Sequence, residues 1–396
     1  MSPFKMIYCA FKSERVCKLR IINGKLLTMD SENYENGYVE FENGKITSFG
    51  DMSTFHQGNG ECLDAKGGYI LPGFIDAHCH IGIGPESTGS PEYFETIDPI
   101  TPHFRGIDAI YPFDTAMKKA MSAGVTSVVA GPGSTNIIDG QLAAFKLSGD
   151  RVKDMIIKAP CAMKIALGNV PKLVFGGKGK APATRMAIAA MLRETLLQAR
   201  TYMNKVDSGD DIPFNIKYDA LIPVFRREIP MHVHASRTDD MVTAIEVAKE
   251  FNLRCVIIHG NEAEDIIDVL KSENISVILG PMIFASRSNE SRGSSFKTPK
   301  ALQDAGVQYA ICTDHCPNMV STEFLPVCAS LAAREGLSDM EALASITINP
   351  ARILGIDNRI GSIAIGKDAD ISVFNGHPLE FTSKPSAVFI NGSRVI

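Results

Sequence analysis

Residues 69–82 read YILPGFIDAHCHIG, and the fold turns on how this stretch is parsed. An apolar run, Tyr69–Ala77, has the composition of a buried strand and delivers His78 and His80 at its end. Residues i and i+2 of an extended strand project to the same face, so both imidazoles can reach one ion. Neutral imidazole is the commonest protein ligand for zinc and related metals. A lone H-x-H pair is weak evidence, because such pairs arise by chance and a satisfied core histidine is ordinary.

Three comparable stretches lie further along. MHVHA (231–235) contains His234, RCVIIHG (254–260) contains His259, and VQYAICT (307–313) runs directly into Asp314. With Val125–Ala130, Met155–Lys158, Met163–Leu167 and Ser276–Leu279 they complete eight strand candidates. Amphipathic patterns separate them: 184–205 carries Ile188, Leu192, Leu196, Ala199 and Met203 on one face, and 239–250 carries Val242, Ile245 and Ala248. Ser338 with Glu341 three residues on reads as a capping box. Strands alternating with helices predict an α/β fold, a (β/α)8 TIM barrel over residues 70–355. No Gly-rich dinucleotide fingerprint follows any strand, which leaves a doubly wound sheet without support.

The ends of the chain have a different character. Residues 17–69 read as short strands punctuated by Asn23–Gly24 and Asn43–Gly44, hairpin signals because Asn and Gly tolerate positive φ. The C-terminal stretch repeats the theme with Gly361–Ile365, Ile371–Phe374, Val388–Ile390 and Asn391–Gly392. Neither end can bury a sheet alone. Residues 1–69 and 356–396 are therefore expected to build one small β-sandwich domain with the barrel inserted between them.

Composition sets limits on function. Forty Lys and Arg against 45 Asp and Glu give a net charge of −5 with no basic run, so neither nucleic acid nor a membrane surface is an expected partner. No apolar stretch approaches the roughly 20 residues of a membrane span. An odd count of nine cysteines is no disulfide framework and fits a reducing, cytoplasmic setting. Cys312 and Cys316 bracket Asp314, but no second Cys or His pair completes a zinc-thiolate site, so they read as buried thiols.

The chemical signal is the constellation. His78, His80, His234, His259 and Asp314 all fall at strand ends, which in a barrel share one face, where catalytic residues collect. With LPGFIDAHCH (71–80), TINPARILG (347–355) and GSIAIGKDADISVF (361–374), this order resembles the amidohydrolase superfamily, in particular its imidazolonepropionase-related branch. The resemblance covers the chain from about Cys17 onward. Residues 1–16 then read as an extra leader, with Met6 an alternative start.

What the resemblance implies is specific. His78 and His80 match the first-strand ligands of a divalent metal, His234 the fifth-strand ligand and His259 the sixth-strand histidine. Asp314 matches the eighth-strand aspartate, a ligand that also acts as general base. Zinc is the expected ion, with iron or manganese as alternatives. Relatives with two ions use a carboxylated Lys or a Glu at the fourth strand. Here MKIALGNVPK (163–172) offers Lys164 and the neutral Asn169, so one ion is favoured over two.

The expected activity is hydrolysis of an amide or cyclic amide C–N bond in a small molecule, with Asp314 and His259 as catalytic groups. A deaminase acting on a heterocyclic amidine, or a non-catalytic barrel scaffold, are the alternatives, and a homo-oligomer is compatible with either. His232 reads as core or support for the site, and His315 as a neighbour of it. His56, His103 and His377 read as surface residues. Arg185, Arg226, Arg227 and Arg287 are candidates for a substrate carboxylate clamp, and the loop GPGSTN (131–136) for pocket lining.

Overall fold

The structure is a computed structural model that describes residues 18–58, 60–86, 92–283, 289–316 and 319–396. The proposed leader, Met6, Cys17 and Arg287 lie outside the described residues. Two sheets organise the molecule. The first is built from β1 (Leu19–Leu26), β2 (Tyr34–Glu42), β3 (Lys45–Asp51), β4 (Glu61–Asp64) and β5 (Tyr69–Pro72). The second, the barrel sheet, runs from β6 (Phe74–Cys79) through β7 (Val125–Ala130), β8 (Ile138–Lys146), β9 (Ile156–Ala166), β10 (Met231–Ala235), β11 (Cys255–His259) and β12 (Ser276–Leu279) to β13 (Tyr309–Ile311). The chain then returns to the first sheet with β14 (Ile371–Phe374), β15 (Pro385–Ile390) and β16 (Ser393–Arg394).

Strand order in the first sheet is β16-β15-β14-β5-β1-β2-β3, with β4 parallel to β1. Both ends of the chain therefore contribute to one sheet, joined where β14 lies antiparallel to β5. Ile21, Val39, Phe41, Ile70, Ile371, Val373 and Phe389 form its apolar core. Asn43–Gly44 and Asn391–Gly392 make the expected hairpin turns, both residues of each pair having positive φ. Asn23–Gly24 does not. It forms an irregularity within β1, where a Cβ on Gly24 would sit 2.8 Å from Ile70, so the backbone needs glycine there for close approach. Gly361–Ile365, expected as extended, carries no strand.

The barrel strands are ordered β6 to β13 in sequence. β6, β7 and β11 are buried along their whole length, as strands covered on both faces are. Outside them, the helix Arg185–Ser208, capped by the Thr184 side chain, buries Ile188, Leu192, Leu196 and Ala199. The capping box of Ser338 and Glu341 is present. Among the described residues no helix is long and apolar enough to cross a membrane.

Two expectations need correction. Tyr69–Ala77 is not one strand: Tyr69–Pro72 belongs to the first sheet and Phe74–Cys79 to the barrel. Gly73 is the switch point, and a Cβ there would lie 2.2 Å from Thr126. Likewise Met155–Lys158 and Met163–Leu167 are not two strands but parts of the single long β9. The third barrel strand is β8, which pairs antiparallel with both β7 and β9. A parallel crossover needs a dozen or more residues, and the connection 131–137 is too short for one. The barrel is thus eight-stranded but not a uniform (β/α)8 repeat.

Candidate metal centre

The seam between the first and last barrel strands builds the site. Beyond β13 the chain continues alongside β6. Asp314 donates its N–H to the His78 carbonyl at 3.0 Å, and His80 donates to the His315 carbonyl at 2.8 Å. The carboxylate of Asp76 fastens the same seam from within, accepting from the Thr313 N–H at 3.1 Å and hydroxyl at 2.5 Å. Closing the barrel therefore places Asp314 against the two histidines of β6. His259 and Asp314 both adopt positive φ, 76° and 54°, a strained backbone for residues with a side chain. Such strain collects where a site over-determines the backbone.

Asp314 Oδ1 lies 3.5 Å from His80 Nε2 and 3.7 Å from His78 Nε2. One donor atom from each of these three residues fits within a 4.8 Å span, close enough to share an ion. The rings of His234 and His259 stand edge to face at 4.3 Å, and the His259 ring is 6.1 Å from that of His78. Four histidines and the aspartate thus line one end of the barrel, with His78, His80 and Asp314 the tightest group.

Backbone carbonyls orient two of the imidazoles. His80 Nδ1 lies 2.9 Å from the Gly131 carbonyl and His259 Nδ1 2.5 Å from that of Gly280. A carbonyl can only accept, so each Nδ1 carries the proton and each Nε2 keeps its lone pair for an ion. Burial lowers the basicity of His78, His234 and His259, and neighbouring positive groups reinforce it at His78 and His234. Asp314 moves the other way. Burial alone would raise its pKa, but the nearby His80, with His259 and Lys164, brings it below the ordinary value. Neutral imidazoles around an ionised carboxylate are a donor set suited to zinc or a similar divalent ion.

The site has deeper support. Asp76 also accepts from the Thr322 hydroxyl at 3.2 Å, and Thr322 N–H donates to His315 Nδ1 at 2.9 Å. Burial pushes the Asp76 pKa up to about 7 against the pull of these donors. Lys164 on β9 is fully buried, with its amine 3.0 Å from His78 Nε2, and burial lowers its pKa. His232 is buried with neither ring nitrogen bonded, as expected of a histidine deeper along β10.

A model of the amidohydrolase family matches residues 69–396. The chain belongs to the amidohydrolase family. A solved amidohydrolase from Thermotoga maritima is 35% identical, with a TM-score of 0.92 over 96% of this chain and 99% of that one. Imidazolonepropionase of Thermoplasma volcanium is 23% identical, covering 91% of each chain, and that of Maricaulis maris is 32% identical over 37% of this chain and 36% of its own. These relatives place the chain in the imidazolonepropionase-related branch. Amidohydrolase tasK of Hapsidospora irregularis is 27% identical over 83% of this chain, but the chain spans only 36% of that protein's length. Relatives of similar identity include a 5-methylthioadenosine/S-adenosylhomocysteine deaminase of Bacillus cereus, 23% identical over 89% of this chain and 84% of its own.

Several residues singled out in this amidohydrolase's sequence sit elsewhere. Arg226 and Arg227 precede β10 and so lie at the opposite end of that strand from His234; they bond Asp207 and Asn252. Arg185 is on the catalytic face but is held bidentately by Asp240 and also by Glu290 at 3.1 Å. Glu290 accepts from the Asn169 N–H at 2.6 Å, so this acidic pair organises the end of β9. Cys312 is buried and Cys316 half-buried, and neither joins a metal-binding group among the described residues. His56 is exposed, whereas His103 and His377 are partly buried. Asp76, Thr313 and Thr322 were not read as functional. The signal for Asp76 was its place inside IDAHCH, two residues before a ligand, as a carboxylate in an otherwise apolar strand.

Proposed function

We propose that this amidohydrolase is a metal-dependent hydrolase that cleaves an amide or cyclic amide C–N bond of a small molecule. The observation that carries the reading is the Asp314 carboxylate, 3.5 and 3.7 Å from the Nε2 atoms of His80 and His78. His78, His80, His234, His259 and Asp314 would hold the ion, which we take to be zinc. A divalent ion supplies hydroxide at neutral pH by lowering the pKa of bound water from 15.7 to about 7. Asp314 is the only carboxylate among these donors. It accepts the water proton and passes it to the departing nitrogen. His259, fixed by Gly280 through Nδ1, presents its Nε2 lone pair to the same space and so would serve as a ligand; it could polarise the carbonyl only after taking up a second proton. The sheet built from both chain ends, expected as a sandwich, contributes none of these groups.

A second reading, with two ions, is favoured by one observation. The Lys164 amine is buried inside the site and touches His78, so it is placed to bridge two ions if carboxylated. Elemental analysis of the purified protein distinguishes one equivalent of metal from two. The same preparation, screened for ammonia or amine release over cyclic amides, N-acyl amino acids and heterocyclic amidines, tests the activity. Turnover of amidines alone would replace amide hydrolysis with deamination. Absence of stoichiometric metal together with inertness on all three classes would refute the enzymatic reading.

A further inference from the structure

We propose that Tyr93 is a positioning residue of the metal centre, holding the His80 ring by stacking. The inference rests on the metal-dependent reading above. Tyr93 lies in the excursion that follows β6 and is 5% exposed. Its ring stacks on that of His80 with centroids 4.7 Å apart and planes 17° from parallel. His80 is also held by the hydrogen bond from Nδ1 to the Gly131 carbonyl, with Asp314 3.5 Å from Nε2 and the His78 ring edge-on at 5.3 Å. A single in-plane hydrogen bond fixes where one ring atom sits but lets the ring swing about the line of that bond. A flat neighbour parallel to the imidazole removes the swing, and so aims Nε2.

Tyr93 is itself held in place. Its carbonyl accepts from the Gly133 N–H at 2.8 Å, so the loop that restrains His80 through Gly131 also restrains the tyrosine. Gly133 permits this approach, since a Cβ there would meet the Phe94 ring at 2.9 Å and the Tyr93 carbonyl at 3.0 Å. Phe94 packs edge-on against Tyr93 at 4.3 Å. The Tyr93 hydroxyl faces the thiol of Cys316, two residues past Asp314. One side chain therefore touches the first-strand ligand and the last-strand loop, on the two sides of the seam where the site is assembled. No feature of the H-x-H motif announces this residue, because Tyr93 lies 13 positions beyond His80 in an irregular segment.

Zinc affinity measured by competition with a fluorescent chelator, on protein stripped of metal and shown folded by its unfolding midpoint, tests the assignment. Tyr93→Phe keeps the ring and should bind zinc within about twofold to threefold of wild type. Tyr93→Leu keeps apolar volume without a plane and should weaken binding by about tenfold to a hundredfold, the cost typical of losing a residue that orients a ligand. In a His80→Ala background, Tyr93→Leu should cause no further loss, because its effect passes through that ring. Wild-type affinity in Tyr93→Leu, an equal loss in Tyr93→Phe, or an undiminished loss in the His80→Ala background would each overturn the proposal. Failure of the wild-type protein to bind zinc would overturn the metal reading itself and this inference with it.

Discussion

Lys146→Met should destabilise the protein by removing a buried cation that ties the barrel to the C-terminal segment. The Lys146 amine, on barrel strand β8, donates to Asp368 at 2.8 Å, to Asp370 at 2.9 Å and to Asn391 at 2.5 Å, all from the C-terminal segment. Lys146, Asp368 and Asp370 are each no more than 4% exposed. Asp368 also holds Lys45 from the N-terminal segment and Arg359 at 2.8 Å. Burial alone would raise the Asp368 pKa, but these cations bring it from 3.8 down to about 2. That shift corresponds to roughly 2 kcal/mol of differential stabilisation. Asp370 has fewer partners, and burial keeps its pKa above the ordinary value even with Lys146 present.

Methionine fills the space of the lysine but leaves Asp370 buried without its cation. Breaking a buried pair in this way costs about 3–5 kcal/mol. Uptake of a proton by Asp370 limits the cost, so about 3 kcal/mol is expected near pH 7. The pH dependence follows from the directions of the shifts. In the wild type, the Asp368 contribution is complete above pH 3.8 and fades as pH falls toward 2. In the variant Asp370 has a raised pKa and no cation, so stability falls as pH rises through it, while Asp368 keeps Lys45 and Arg359. The gap between the two proteins should therefore be larger at pH 7 than at pH 4.5. Urea unfolding at both values measures it, and Lys146→Met combined with Asp370→Asn should recover part of the loss. An unchanged midpoint in Lys146→Met, or a gap that widens at low pH, would refute the reasoning.

The remaining expectations concern the site. Asp314→Asn retains an oxygen ligand without a proton acceptor, so metal content should persist while kcat on an identified substrate falls by about 10²–10⁴; a rate near wild type would remove Asp314 as proton carrier. His78→Ala or His80→Ala should each lose most of the metal, read by elemental analysis of folded protein. Stripping the metal with a chelator should lower Tm, and re-addition should restore it in proportion to the logarithm of free metal; a Tm indifferent to metal contradicts the site. Asp76→Ala strands the Thr313 and Thr322 donors inside the seam, at about 1–3 kcal/mol for each buried group left unbonded. Thermal unfolding of the metal-free variant measures that loss separately from ligand binding.

The sequence by itself determined the barrel strands whose signals are local. Val125–Ala130, Met231–Ala235, Cys255–His259 and Ser276–Leu279 appear with the boundaries their apolar runs predict. It also determined that both chain ends share a sheet, since neither has enough apolar surface to be covered alone. The polar residues at strand ends were legible because in a barrel those ends converge on one face. Periodicity could not show which way a strand runs or where the chain changes sheets. The antiparallel β8 and the switch at Gly73 depend on connection length and on what packs against the backbone, and neither is encoded in alternation. The tertiary structure alone decided how Asp314 meets His78 and His80, because that contact is a product of ring closure. Two backbone hydrogen bonds and the buried Asp76 carboxylate join positions more than 200 residues apart. Tyr93, Gly131 and Gly280 contribute ring planes and carbonyls to the same site, and such groups carry no signature until the fold aims them.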